Sequence, residues 1–220
     1  MKRYLPFLII GAVLVIAAGA GAFMLRSAQP SSNSPAPTPA LPSGSPGASS
    51  AVATTKGVVT IEEFGDYQCP PCGYLHPTLK KIKGEFGPRV RFIFYHYPLS
   101  QVHKNALDAA HAAVAAGLQG KFWEMHNLLY ESQKEWSEGN DLHPIAIGFA
   151  SQLGLDVARF ARDMDSAAVD NTVSADVQRA NSRGVNATPT IFVDGQMIEN
   201  EKLTVENLRQ QISQKLGVRQ

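Results

Sequence analysis

From Val58 onward, apolar positions recur with two different periods. Val58 to Phe64 (VVTIEEF) is rich in β-branched residues and reads as a strand. Pro70 to about Phe86 reads as a helix, closed by Gly84 and the Gly87-Pro88 pair. Arg89 to Tyr97 (RVRFIFYHY) alternates at first and then turns almost wholly apolar, as a central strand does. Asn105 to Leu118 is an Ala-rich helical stretch ending before Gly120, and Lys121 to Trp136 carries Phe122, Trp123, Met125, Leu128 and Leu129 at helical spacing. Further helices are expected over Pro144 to Leu153, Val157 to Met164 and about Ala167 to Ser182. Thr190 to Val193 reads as a short strand, Asp194-Gly195 as a hairpin turn, and Met197-Ile198 as the start of the return strand. Val205 to Leu216 closes the chain as an amphipathic helix. The order is βαβ, a helical block, then ββα, and the first strand–helix–strand step is expected to be right-handed.

The first 55 residues follow neither period. Lys2 and Arg3 precede an uncharged run from Leu5 to Leu25, longer than the apolar core of a typical secretory signal and near the ~20 residues that span a bilayer. The basic residues stay on the cytoplasmic side and send everything after Arg26 outward. Ala18-Gly19-Ala20 and Ala20-Gly21-Ala22 resemble cleavage sites, but the apolar Phe23-Met24-Leu25 behind them favours an uncleaved anchor over 1–26. A cleaved signal peptide, leaving a secreted or periplasmic protein, is the alternative. Residues 27–55 are almost entirely Ser, Pro, Ala, Gly and Thr, too polar to bury a core, and read as a disordered spacer of about 30 Å. The folded part is then expected over 56–217, with a helical insertion at about 100–183.

A formal net charge of +1 with 18% charged residues gives no bias toward nucleic acid or any acidic partner. Cysteine changes the picture more. The chain has two, Cys69 and Cys72, in EFGDYQCPPCGYLHP. A disulfide across so small a loop constrains the unfolded chain very little, so a purely structural staple explains the pair poorly. Cys69, Cys72 and His76 form C-x₂-C-x₃-H, three ligands that suit copper; a structural zinc site would need a fourth. Thiol–disulfide exchange fits the placement better. Cys69 follows a strand and opens a helix, where free backbone N–H groups and the helix dipole favour thiolate. Cys72, one turn on, is expected to be more buried and able to resolve a mixed disulfide. Pro70 and Pro71 are tolerated in the first helical turn, hold the gap short, and leave the Cys72 N–H as the donor to the Cys69 sulfur.

At this point the sequence resembles the thioredoxin superfamily and, within it, the DsbA-like oxidoreductases. The CPPC lies at a strand-to-helix junction, Glu63 lies six residues before Cys69, Pro77 lies eight after it, and RGVNATPTIFVDGQ (183–196) looks like the cis-proline segment. The helical block and its GKFWEMHNLLYESQ (120–133) resemble the DsbA relatives rather than plain thioredoxins. The resemblance implies an α/β thioredoxin fold with an inserted helical domain. It implies Cys69 as nucleophile, Cys72 as resolving thiol and Glu63 as a buried carboxylate that shuttles protons. It also implies a cis Thr188–Pro189 peptide, with the Thr188 backbone pairing with substrate. No cofactor or metal beyond the Cys69–Cys72 disulfide is implied. The expected partners are unfolded or thiol-containing extracytoplasmic proteins and a membrane redox partner, for a monomeric enzyme. DsbA has histidine where this chain has Pro71, which implies a less extreme oxidant; a reductase or isomerase of the same fold is the alternative.

Several other residues are ambiguous on sequence alone. Glu62 alternates with Glu63, so one of the two is expected to face inward. Asp66 reads as a turn residue. His76 reads as decoration of the active-site helix, and His96, His103, His111, His126 and His143 as packing or surface groups. Phe122, Trp123 and Met125 read as core of the helical block. Tyr67, Gln68 and Tyr74 read either as a rim for unfolded protein or as plain packing.

Overall fold

The computed structural model describes residues 57–139 and 141–218. The expected membrane segment over 1–26 and the spacer over 27–55 lie outside them. No helix among the described residues is long and apolar enough to cross a membrane. In chain order the elements are β1 (Val59–Gly65), α1 (Pro70–Phe86), β2 (Val90–His96), α2 (Ala106–Gly117), α3 (Phe122–Glu131), α4 (Gln133–Trp136), α5 (His143–Gln152), α6 (Val157–Met164), α7 (Ala167–Ser182), β3 (Thr190–Val193), β4 (Gln196–Ile198) and α8 (Val205–Leu216).

The sheet runs β2-β1-β3-β4. β1 pairs parallel with β2 and antiparallel with β3, so Glu63 lies opposite Phe94 on one side and Ile191 on the other. β3 returns to β4 through Asp194 and Gly195, both at positive φ (48° and 79°), the backbone that a tight hairpin turn demands. All seven residues of β1 are buried, because both faces of the sheet are covered. On one face Ile61, Ile191 and Val193 meet Leu79 and Ile82 of α1 and Leu208 and Ile212 of α8. On the other, Phe64, Tyr95 and Phe192 pack with Ala180 of α7. Fully burying each such large apolar side chain contributes about 1.5–3 kcal/mol. Glu62 and Glu63 therefore both face inward, one into each layer. The expectation of a single buried carboxylate is corrected.

The inserted helices form a second apolar cluster that reaches back to Tyr67, Cys69, Cys72 and Phe94. Ala109, Ala112, Ala113 and Ala116 of α2 are fully buried; side chains this small let α3, α6 and α7 approach closely. The stretch expected as one helix over Lys121 to Trp136 is two. At Ser132 the hydroxyl donates back to the Leu128 carbonyl, a bond that bends helices, and α4 begins one residue later. Trp136 is fully buried, its indole N–H donating to the Leu129 carbonyl at 2.9 Å.

Candidate active site

Cys69 caps the N-terminus of α1 in extended conformation (φ −67°, ψ 118°), with no side-chain cap, and the two prolines fill the first positions of the helix. Proline has no N–H, so the first free donor of the helix is that of Cys72. Both prolines are exposed, Cys72 is wholly buried and Cys69 is 4% exposed. Both cysteines are free thiols. The loop before β3 supplies the remaining wall. The Thr188–Pro189 peptide is cis, and the Thr188 carbonyl accepts from Cys69 Sγ at 3.4 Å across 119 residues of sequence.

These neighbours split the two thiols. The hydrogen bond from the Cys72 side chain is the largest cause lowering Cys69, to about 6; Thr188 and the Cys72 backbone add to it, while burial and Asp66 oppose it. The Thr188 hydroxyl is buried and has no hydrogen-bond partner. Cys72 is pushed well above the usual thiol range, chiefly by burial, then by its bond to Cys69 and the charge of Glu63. The outer sulfur is biased toward thiolate near neutral pH, and the inner one keeps its proton.

Glu63 lies on the face of β1 turned toward α1, and its Oε1 has no hydrogen-bond partner. Burial, with a smaller push from Cys69, raises its carboxyl to about 8. At neutral pH it carries a proton that it can give up. Gly65, two residues on, has to be glycine. A Cβ there would come within 2.5 Å of the Phe94 ring and 2.9 Å of the Tyr130 hydroxyl.

The insertion contributes polar groups that the sequence did not flag. The Gln133 side-chain amide donates to the carbonyls of Tyr67 (2.7 Å) and Cys69 (2.9 Å). Its Oε1 occupies the space where a Cβ on Gly73 would stand. In return, Gln68 donates to the Ser137 carbonyl at 2.6 Å and accepts from the Asn105 backbone N–H at 2.7 Å. Asp66 is a turn residue, as expected, accepting from the Gln68 N–H at 2.8 Å, and also an anchor. It accepts from the Leu99 N–H and lies 2.7 Å from His103 Nδ1.

Of the three rim candidates, two are packing. Tyr67 is 1% exposed, stacked on Phe94, with its hydroxyl 3.1 Å from His126 Nδ1; Gln68 is buried in the bonds just described. Tyr74 is 73% exposed and borders a groove of about 380 Å³ beside the cis-proline, lined also by Pro71, Leu75, Thr78, Pro189 and Leu203. His76 is not surface decoration. It is buried, stacked on Tyr130 and edge-on to His126. Among the described residues no three His, Cys, Asp or Glu groups come together to hold a metal ion. His96 and His126 pack inside the aromatic cluster, and Phe122 and Met125 are core.

A family model described as thioredoxin matches residues 48–214. Among curated proteins, a Na(+)/H(+) antiporter NhaA 1 of Salinispora arenicola is 39% identical over 137 residues, 62% of this chain but 20% of that protein. The chain spans about a fifth of the length of the curated relatives it matches. Among solved structures, a thioredoxin-like oxidoreductase of Silicibacter pomeroyi DSS-3 is 26% identical and superposes with a TM-score of 0.57, covering 71% of this chain and 87% of that one. BdbD of Bacillus subtilis, in oxidised form, gives a TM-score of 0.65 at 24% identity, covering 75% and 91%.

Proposed function

The chain belongs to the thioredoxin family, and on that premise we propose that it is an extracytoplasmic protein disulfide oxidoreductase working in the oxidising direction. Cys69 is the nucleophile, Cys72 the resolving thiol and Glu63 the proton carrier; Pro70 and Pro71 are the spacer, and Thr188 with Pro189 forms the substrate-binding edge. A thiolate on the substrate attacks Cys69 Sγ, the Cys69–Cys72 bond breaks, and Cys72 leaves with the electron pair and takes a proton from Glu63. The second substrate thiolate then attacks the substrate sulfur of the mixed disulfide and expels Cys69 as thiolate. Two electrons pass to the enzyme, the substrate gains a disulfide, and a membrane partner accepts the electrons to restore the cycle. The run from Leu5 to Leu25 behind Lys2 and Arg3 supports a tether, single-pass with the domain outside the membrane. The enzyme acts as a monomer on thiol-containing proteins held along the groove beside Pro189.

The observation that carries this reading is the contrast between two sulfurs one helical turn apart, Cys69 lowered to about 6 and Cys72 pushed above the usual range. A stabilised thiolate favours the reduced enzyme and hence oxidation of its substrate. Pro71, standing where DsbA has histidine, argues for a thiolate held less strongly than DsbA's and so for a less oxidising potential. Equilibrating the full-length protein with glutathione tests the direction. A potential above about −270 mV but below about −120 mV is expected. A value at or below thioredoxin's would turn the cycle round, toward reduction.

A further inference from the structure

Behind the cysteine pair, α1 and α3 part to leave a second cavity of about 380 Å³ that opens to solvent. It belongs to neither the thiols nor the groove beside the cis-proline. Glu63 lies at its inner end, Phe92 and Trp123 wall it, and Lys80 and Lys83 stand along its α1 side. Glu63 and His76 both line it, and one buried polar atom of each, Glu63 Oε1 and His76 Nε2, has no hydrogen-bond partner. A solvent-open space of this size, lined by polar side chains, holds water, roughly ten molecules.

The surroundings of His76 suit a group that takes and returns a proton. Its Nε2 lies 3.9 Å from Glu131 Oε1, and Lys80 holds that carboxylate at 2.6 Å. The Tyr130 ring stacks on it and the His126 ring meets it edge-on. Burial lowers its basicity, Glu131 pushes back and Lys80 adds to the lowering. It therefore rests neutral at neutral pH and accepts a proton where a carboxylate steadies the charge. Lys83, the other cation at the cavity, is drawn over the Trp123 ring at 3.9 Å.

We propose that this cavity is the proton inlet of the redox site, and that His76 relays protons between bulk water and Glu63. The inference rests on the thiol–disulfide reading above. When Cys72 leaves as a thiolate it takes the Glu63 proton; His76 takes a proton from hydronium beside Glu131 and becomes imidazolium, then passes one through cavity water to the Glu63 carboxylate and returns to neutral. One proton enters for each Cys72 thiol formed, no electrons move, and each carrier ends as it began. In the reverse reaction the same path discharges a proton.

The test uses the full-length disulfide form mixed with a dithiol peptide, with stopped-flow tryptophan fluorescence following reduction of the pair across the neutral range. His76→Gln is expected to slow that step by about tenfold, and added imidazole, small enough to enter, to restore it. Gly84 lies in the cavity wall with nothing within 4 Å of an added Cβ. Gly84→Met is expected to plug the inlet and slow the same step beyond rescue by imidazole. Alkylation of Cys69 should keep its wild-type rate in both. A His76→Gln protein that matches wild type, or one slowed with no response to imidazole, overturns the relay. Should that variant fail to fold, a Gly84→Met protein at wild-type rate overturns the inlet. A wild-type protein that oxidises no dithiol would sink the redox assignment and the inlet with it.

Discussion

Glu62 and Glu63 are neighbours on one strand, and each is almost wholly buried, at 2% and 4% exposed. Strand geometry sends them to opposite faces of the sheet. The face toward α7 supplies a partner. Arg183 Nη1 stands 2.7 Å from Glu62 Oε1, and its guanidinium lies 3.7 Å over the Phe192 ring. The face toward α1 supplies none for Glu63 Oε1, and there burial, then the Cys69 charge, raises the carboxyl to about 8. A buried acid matched to a cation is a strut. A buried acid without one holds a proton and can trade it. Residue type and position barely differ between the two; what separates their roles is an arginine 121 residues away.

The contrast is broken most severely from the paired side. Arg183→Met keeps much of the apolar stem but strands Glu62, and should cost about 3–5 kcal/mol in urea unfolding. The reduction potential of the cysteine pair should stay where it was. A loss under about 1 kcal/mol would mean that Glu62 never depended on its partner. The unpaired side predicts the opposite sign. Glu63 titrates near 8 when folded against an ordinary 4.5, so between those values the folded protein binds more protons than the unfolded chain. Its contribution is fully present below about 4.5 and is lost as pH rises through 8. Glu63→Gln should therefore stabilise the dithiol form by about 4 kcal/mol at pH 8 and by almost nothing near pH 4, and the disulfide form, which lacks the Cys69 charge, by somewhat less. His96, lowered to about 3 by burial and then by His111, works at the other end. Its stability is present above about 6.5 and is lost as pH falls toward 3, and the Gln variant should keep that acid limb unchanged. Urea midpoints across pH decide both points, and a pH-independent gain would show Glu63 ionised throughout.

Much of this architecture was legible before the structure, for identifiable reasons. β1, α1, α6, α7, β3 and α8 follow from periodicity and from strong punctuation at Gly87-Pro88 and Asp194-Gly195. The strand-to-helix placement of Cys69 follows from Pro70 and Pro71. What sequence could not supply is partnership. Nothing local tells Glu62 from Glu63, because Arg183 arrives from the far end of the insertion. His76 has the same spacing to the cysteines whether it ligates, decorates or lines a cavity; the α3 aromatics decide. Tyr67 and Tyr74 flank the thiols symmetrically, yet one is core and the other is exposed at the groove. Gln133 could be read as a helical surface residue until the bend at Ser132 turns it toward the active-site loop.

Gln133 offers a smaller and more selective test. It satisfies the Tyr67 and Cys69 carbonyls while Glu63 Oε1 stays unpartnered, so the insertion tends the backbone of the site and not the Glu63 carboxyl. Gln133→Leu removes two buried hydrogen bonds and should cost about 2 kcal/mol. Because those bonds fix where α1 begins, the Cys69 thiolate titration, read by ultraviolet absorbance, should move upward. The alkaline loss of stability assigned to Glu63 should not move. A shift in that limb would place Gln133 on the proton path as well.

The smallest expected effect cuts closest to the comparison itself. If the two faces of β1 act independently, the energies of Glu62→Gln and Glu63→Gln should add in the double variant, with a coupling under about 0.5 kcal/mol. Glu62 is absent from the causes that raise Glu63, which are burial and Cys69, and this is the physical ground for expecting additivity. Each single change also leaves a different neighbour exposed to its loss: Arg183 in one case, the cavity between α1 and α3 in the other. The cycle is best run at pH 8, where the Glu63 contribution is largest. A coupling of about 1 kcal/mol or more would show the strand carrying charge information from one face to the other. The paired and the unpaired carboxyl would then be one system divided only by a peptide bond.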